Sequence, residues 1–399
     1  MTRVSGGVTA AKGFIASGLS AGIKRSRKPD LSLVVSQAPA TAAGVFTVNR
    51  VKAAPVLISQ ARLKSGTARG VLLNSGCANC MTGAAGYADA LSLGRDAARL
   101  AGIAERELLV ASTGIIGRRL PVLRLRRMLP ALVRRLSRVG HRSAALGILT
   151  TDLVYKEAGV EARINGRIVR LGGMAKGAGM IAPSMATMLC VLTTDAAIER
   201  GLLNELLREA VERSFNRISV DGDMSTNDSV FVLANGRAGV AIRRGTPAAA
   251  RFAAMLREVT SRLAYLLVKD GEGATRVATI EVSGAQTEAQ ATACARQIAT
   301  SSLVRTMLAS GDPNVGRIAA AAGASGARFR PEDLEIRIGG HPVVQRGVAA
   351  RIGKALAARL FAPHELTIQV RLHAGRASAS MLACDLTEAY VRINARYST

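Results

Sequence analysis

Tryptophan is absent from the 399 residues, which hold only seven phenylalanines and five tyrosines. So few aromatic platforms suit poorly the stacking of single-stranded bases. Acids are scarce as well: 28 stand against 54 basic residues, only nine of them lysine, for a formal net charge of +26. Such a balance attracts polyanions, but no recognisable binding module accompanies it, which argues against nucleic acid as a partner. The five cysteines (Cys77, Cys80, Cys190, Cys294, Cys384) are odd in number and read as reduced thiols. Cys77 and Cys80 form a C-x-x-C, yet no second pair of ligands stands at zinc spacing. The N-terminus lacks the apolar core of a secretory signal. No run is long and apolar enough for a spanning helix, so the expectation is a cytoplasmic protein with no membrane partner.

What is present is a large apolar fraction, 49%, enough for a substantial core. Strand-like runs occur at 31–37, 54–59, 69–74, 107–112, 229–234 and 278–283, with helical patterns at 89–103, 198–213 and 247–268. Thr246 and Pro247 suit a helix cap and first position. Asn165-Gly166 between alternating segments predicts a type I′ hairpin over 160–171. Residues 118–142 carry no acid and predict a basic helix with Leu123, Met128, Leu132 and Leu136 facing inward. Strands interleaved with helices place the chain in the layered α/β class. Domain boundaries are poorly marked.

One stretch stands apart. Between Lys176 and Asp195 lie eighteen uncharged residues, GAGMIAPSMATMLCVLTT. Glycines and Pro183 break its first half, and TMLCVLTT predicts a buried strand headed by Thr187. A threonine hydroxyl is a weak nucleophile without a base beside it. None of the four histidines (His141, His341, His364, His373) is near it in sequence. Cleavage of the Ala186–Thr187 bond would supply one, the α-amine of Thr187 itself. With a pKa near 7.8, such an amine is about one-seventh neutral at pH 7, against about one in 2,500 for a lysine. On spacing alone an ordinary β-forming threonine remains the simpler reading.

Other segments invite chemistry. ASTGIIG (111–117) ends a strand in a tight turn where Thr113 and backbone N–H groups can hold an oxyanion. DGEGAT (270–275) places Glu272 in a loop. DGDMSTNDS (221–229) gathers Asp221, Asp223 and Asp228, but Thr226 and Val232 stand where a calcium loop needs glycine and glutamate, so no metal site is expected.

Taken together, GGVTAAKGF (6–14), AAGVFTVNRVKAAPV (42–56), NSGCANC (74–80), ASTGIIGRRLP (111–121) and GGMAKGAGMIAPSMATML (172–189) resemble the ornithine acetyltransferase (glutamate N-acetyltransferase) family of arginine biosynthesis. RSFNRISVDGDMSTNDS (213–229), DGEGAT, GDPNVGRI (311–318) and CDLTEAYVRINARYST (384–399) extend the resemblance over essentially the whole chain. It implies a layered α/β sandwich of the self-cleaving type, in two lobes with the nucleophile at their junction. It implies self-cleavage between Ala186 and Thr187, giving an α chain of 1–186 and a β chain of 187–399, assembled as α2β2. Thr187 would be the nucleophile that passes an acetyl group from N-acetylornithine to glutamate. Thr113 and Gly114 match the oxyanion hole, and Thr150, Lys176, Thr187, Glu272, Asn394 and Thr399 match substrate contacts. No cofactor is implied, with acetyl-CoA as an alternative acetyl donor.

Departures from that pattern are Cys77, Leu153, Val315, Arg376, Leu382, Arg396 and Ser398. Two other readings stand beside it: an amidohydrolase or aminopeptidase on the same fold, and a non-catalytic basic binding protein.

Overall fold

The computed structural model describes residues 1–182 and 188–396. Two compact units emerge, one of residues 1–177, 188–216 and 224–267, the other of 178–182, 217–223 and 268–396. The expected cut at 186/187 is a different division: residues 188–216 and 224–267 fold with residues 1–177.

In the first unit, Phe14–Leu19, Leu31–Ser36, Gly70–Cys77 and Leu108–Ile115 form a four-stranded sheet, the last two strands parallel. Alternation builds two cores from it. Val34, Val71, Leu73 and Leu109 join a cluster with Met174, Leu189, Val191, Phe231 and Leu233 of a second sheet. Leu31, Leu33, Leu72, Leu108 and Val110 turn the other way, onto helices Gly83–Ala101 and Val122–Arg134. Both faces are therefore covered, which explains why Leu31–Ser36 is buried throughout. The second sheet runs Thr2–Arg3, Lys156–Ile164, Arg167–Lys176, Leu189–Thr194, Ser229–Ala234, Thr41–Phe46. The result is a layered α/β sandwich.

In the second unit a sheet of seven strands has Ala377–Cys384, Val277–Ala285 and Glu365–Arg371 at its heart. Glu365–Arg371 alternates buried and exposed along its length. One face of this sheet packs on helices Glu288–Thr300, Ser302–Ser310 and Gly316–Gly323 through a cluster that includes Ile280, Ile298, Met307, Ile318 and Ile368.

The 160–171 hairpin forms as expected, from Lys156–Ile164 and Arg167–Lys176, with Asn165 at φ +48° and Gly166 at +78°. Two expectations need correction. APVLIS (54–59) is not a strand but part of helix Ala54–Arg62; six apolar residues fit either period, and Pro55 in the first turn favours the helix. The helix within 118–142 is present, but its buried stripe is Leu125, Leu129 and Leu132, while Leu123 is 73% exposed. With leucine at so many positions, the sequence does not fix the phase. No helix among the described residues is long and apolar enough to cross a membrane.

Candidate active site

The ends of the parallel strands Gly70–Cys77 and Leu108–Ile115 build the first part of the site. Register pairs Ser75 with Thr113 and Gly76 with Gly114. Gly114 sits at φ +126°, and a Cβ there would lie 2.4 Å from the Gly76 carbonyl carbon and 2.6 Å from the Cys77 nitrogen. Only glycine lets the two backbones close. Side chains brace this corner: Asn227 Nδ2 donates to the carbonyls of Ala78 (2.7 Å) and Ser112 (2.8 Å). Asn74 accepts from the Ser112 hydroxyl at 2.6 Å and donates to the Cys77 carbonyl at 2.9 Å.

Lys176, at the end of Arg167–Lys176, brings charge to the corner. Its Nζ lies 3.4 Å from Thr113 Oγ1 and 4.0 Å from Asp152 Oδ2. The fully buried Asp152 carboxylate accepts from Lys156 Nζ at 2.6 Å, Gly177 N at 2.7 Å and Thr150 N at 2.9 Å. Burial alone would raise its pKa; the opposing fields of Lys176 and Lys156, with these hydrogen bonds, hold it well below the ordinary carboxylate range. Lys24 adds a third ammonium, donating to the Pro29 carbonyl at 2.7 Å. Its burial pulls its pKa to about 8 against Asp30, and Lys176 pushes it the same way. Positive charge therefore exceeds negative here, which suits an anionic group such as a substrate carboxylate.

Thus Thr113, Gly114, Thr150 and Lys176 gather around Asp152. Glu272 and Asn394 come together in the other unit, where Asn394 Nδ2 donates to Glu272 Oε2 at 2.7 Å and to the Tyr390 carbonyl at 3.1 Å. Glu272 is 9% exposed, and its N–H donates to the Ala178 carbonyl at 2.7 Å. Ala186, Thr187 and Thr399 lie outside the described residues.

Sequence reasoning missed Asp152, Lys156 and Lys24. A buried i,i+4 Asp–Lys pair, the aspartate in a loop and the lysine opening strand Lys156–Ile164, has no signature of its own; its meaning comes from Lys176, brought beside it by the hairpin. Two of the three aspartates of 221–229 serve as backbone acceptors. Asp221 binds N–H groups of Met180 and Ile181, and Asp228 that of Met188. Burial raises the pKa of Asp228 well above the usual carboxylate value. Its Oδ2 lacks a well-formed hydrogen bond, with the Ser225 hydroxyl as help against that cost. Among the departures, Val315 packs into the second unit's core while Arg376 is exposed.

The model of the ArgJ family matches residues 15–399. The arginine biosynthesis bifunctional protein ArgJ of Thermosynechococcus vestitus is 44% identical, with 100% of this chain and 99% of that one covered. The protein of the same name from Symbiobacterium thermophilum is 44% identical with 100% of each covered. Among solved structures, ornithine acetyltransferase complexed with ornithine from Mycobacterium tuberculosis is 42% identical over 47% of this chain and 99% of that one, at a TM-score of 0.44. With the family model running from residue 15 to the last and such relatives matched end to end, this chain belongs to the ArgJ family.

Proposed function

We propose that this chain is an acetyltransferase of arginine biosynthesis that moves an acetyl group from N-acetylornithine to glutamate. The observation that carries the reading is the closed corner of Thr113 and Gly114 with the Lys176 ammonium 3.4 Å from the Thr113 hydroxyl, in a chain whose relatives are named bifunctional arginine-biosynthesis proteins.

Self-cleavage comes first. Hydrolysis of the Ala186–Thr187 amide consumes one water and leaves an Ala186 carboxylate and a free Thr187 α-amine. Strand Leu189–Thr194 pairs with Arg167–Lys176 on one side and Ser229–Ala234 on the other, so the sheet bridges the proposed α and β chains and supports their staying together; a further pairing into α2β2 is part of the proposal and rests on the family resemblance.

In the mature enzyme, the Thr187 hydroxyl attacks the acetyl carbonyl of N-acetylornithine, its proton passing by way of the α-amine to the departing nitrogen. Ornithine leaves and an acetyl ester remains. The α-amine of glutamate then attacks that ester, forming N-acetylglutamate and returning the proton to Thr187. In both steps Thr113 and Gly114 face the negative oxygen, a contribution of about 3–4 kcal/mol per donor. Lys176 takes a substrate carboxylate and Glu272 an amino group. The cycle needs no cofactor, and acetyl-CoA serves as a second acetyl donor. A cytoplasmic setting suits the reduced thiols.

Intact masses of the purified protein beside a Thr187→Ala control test the first step. Two fragments divided at 186/187, absent from the control, are expected, followed by N-acetylglutamate from N-acetylornithine and glutamate. Free acetate without transfer would instead make the protein a hydrolase, and an uncut wild type with no turnover a binding protein.

A further inference from the structure

Asp221 has more ties than a loop acid needs. Its Oδ1 accepts from Ile181 N at 2.8 Å and Asp223 N at 3.1 Å; its Oδ2 accepts from Met180 N and, at 3.3 Å, from the Tyr390 hydroxyl. The neighbouring Val220 N donates to the Ile181 carbonyl at 2.8 Å. Met180 is held at φ +56°, where a residue with a side chain is uncommon. All these groups belong to the second unit. Nothing in the acetyl-transfer scheme uses them, yet in sequence the pinned pair 180–181 stands just upstream of the expected cut.

We propose that Asp221, supported by Tyr390, is a positioning residue for self-cleavage: it fixes residues 180–181 so that the scissile stretch starts from an anchored backbone. The inference rests on the self-cleavage reading above. The mechanism is entropic, since holding the chain in one geometry removes much of the search that precedes reaction. A carboxylate does this better than a neutral acceptor because hydrogen bonds to a charged group are the stronger kind. Asparagine at 221 would also turn an N–H donor toward other donors.

The groups facing Asp221 make its charge a readout. Asp223 from its own loop, Tyr390 from helix Glu388–Arg396 and Cys384 from strand Ala377–Cys384 surround it. Burial, and then the charge of Asp223, raise its pKa despite the backbone hydrogen bonds. Acid therefore protonates Asp221 more readily than an exposed aspartate and weakens its hold, and asparagine abolishes that sensitivity.

The test is cell-free synthesis of the full chain, with the cut fraction followed in time on a denaturing gel from mildly acidic to neutral pH. Asp221→Asn should slow cutting about tenfold or more, the size expected for losing a charged hydrogen bond. Tyr390→Phe should slow it about two- to threefold, and Asp223→Asn should leave the rate at neutral pH unchanged while moving the acid-side fall to lower pH. The acid-side fall in the wild-type rate should be missing from Asp221→Asn. Wild-type speed in Asp221→Asn overturns the proposal, as does a slow variant whose pH profile parallels the wild type. If Asp221→Asn fails to accumulate, Tyr390→Phe decides: a wild-type rate there overturns it. An uncut wild type removes the self-cleavage reading and this inference with it, an outcome distinct from a cut wild type with an indifferent variant.

Discussion

Asp152→Asn should be the most damaging near-isosteric change in the first unit. The carboxylate is fully buried, 2.6 Å from Lys156 Nζ, itself fully buried, and 4.0 Å from Lys176 Nζ, which is 2% exposed. It also takes the N–H groups of Thr150 and Gly177. Removing one partner of a buried ion pair costs about 3–5 kcal/mol. At about 1.4 kcal/mol per tenfold, that is a factor of about 10² to about 4,000 in the folding equilibrium. The measurement belongs in a Thr187→Ala background, where the polypeptide stays one chain throughout. With an m value of about 2–3 kcal/mol per molar urea, the first unit's midpoint should fall by about 1–2.5 M. The pH dependence carries a sign. A carboxyl whose folded pKa is depressed contributes stability above its unfolded value, near 3.9, and loses it as the pH falls toward the folded one. The gap between Asp152→Asn and its parent should therefore be full at pH 5–7 and narrow below about pH 4. A gap under about 1 kcal/mol at pH 7, the scale of an exposed ion pair, or one that widens in acid, would refute this account of the site.

Gly114→Ala should lower kcat for acetyl transfer by about 10²–10³-fold, the loss typical of a spoiled oxyanion donor, because its Cβ meets backbone at 2.4 Å; steady-state assay of the matured protein reads it. Asn394→Ala should raise KM for N-acetylornithine about three- to tenfold with kcat little changed, since Glu272 loses a 2.7 Å hydrogen bond. Leu125→Ala should cost about 2–5 kcal/mol in urea unfolding, whereas Leu123→Ala should stay within about 0.5; equal costs would put the helix phase in error.

How far the sequence spoke depended on the range of the interaction. The hairpin was legible because Asn165-Gly166 decides its turn locally, and the strands ending in Cys77 and Ile115 were legible as apolar runs. Segment 54–59 was misread, because a short apolar run carries no period and the one local cue, Pro55 in the first turn, was outweighed by the apolar residues around it. Thr113 and Gly114 were readable as a strand exit. Asp152 was not, since its lysines at 156 and 176 meet it only after the hairpin folds. Thr226 and Val232 were enough to set aside a calcium loop at Asp221, Asp223 and Asp228, but that two of these aspartates point at backbone N–H groups is something letters cannot reveal.

That use of aspartate gives the shortage of acids a physical sense. Asp30 accepts from the N–H groups of Ala21, Ile23 and Lys24, Asp195 from those of Lys12 and Arg170, and Asp385 from those of Thr275 and Arg276. Asp152, Asp221 and Asp228 behave alike. A short carboxylate reaches backbone donors that glutamate overshoots and satisfies groups whose burial would otherwise be costly. Many arginines, by contrast, pair near the surface, as Arg3 with Glu258 or Arg244 with Glu205, where such pairs contribute little. The excess of positive charge is thus largely a surface property. The few aspartates inside set loop geometry, and two of them hold backbone within six residues of the bond this enzyme is proposed to cut in itself.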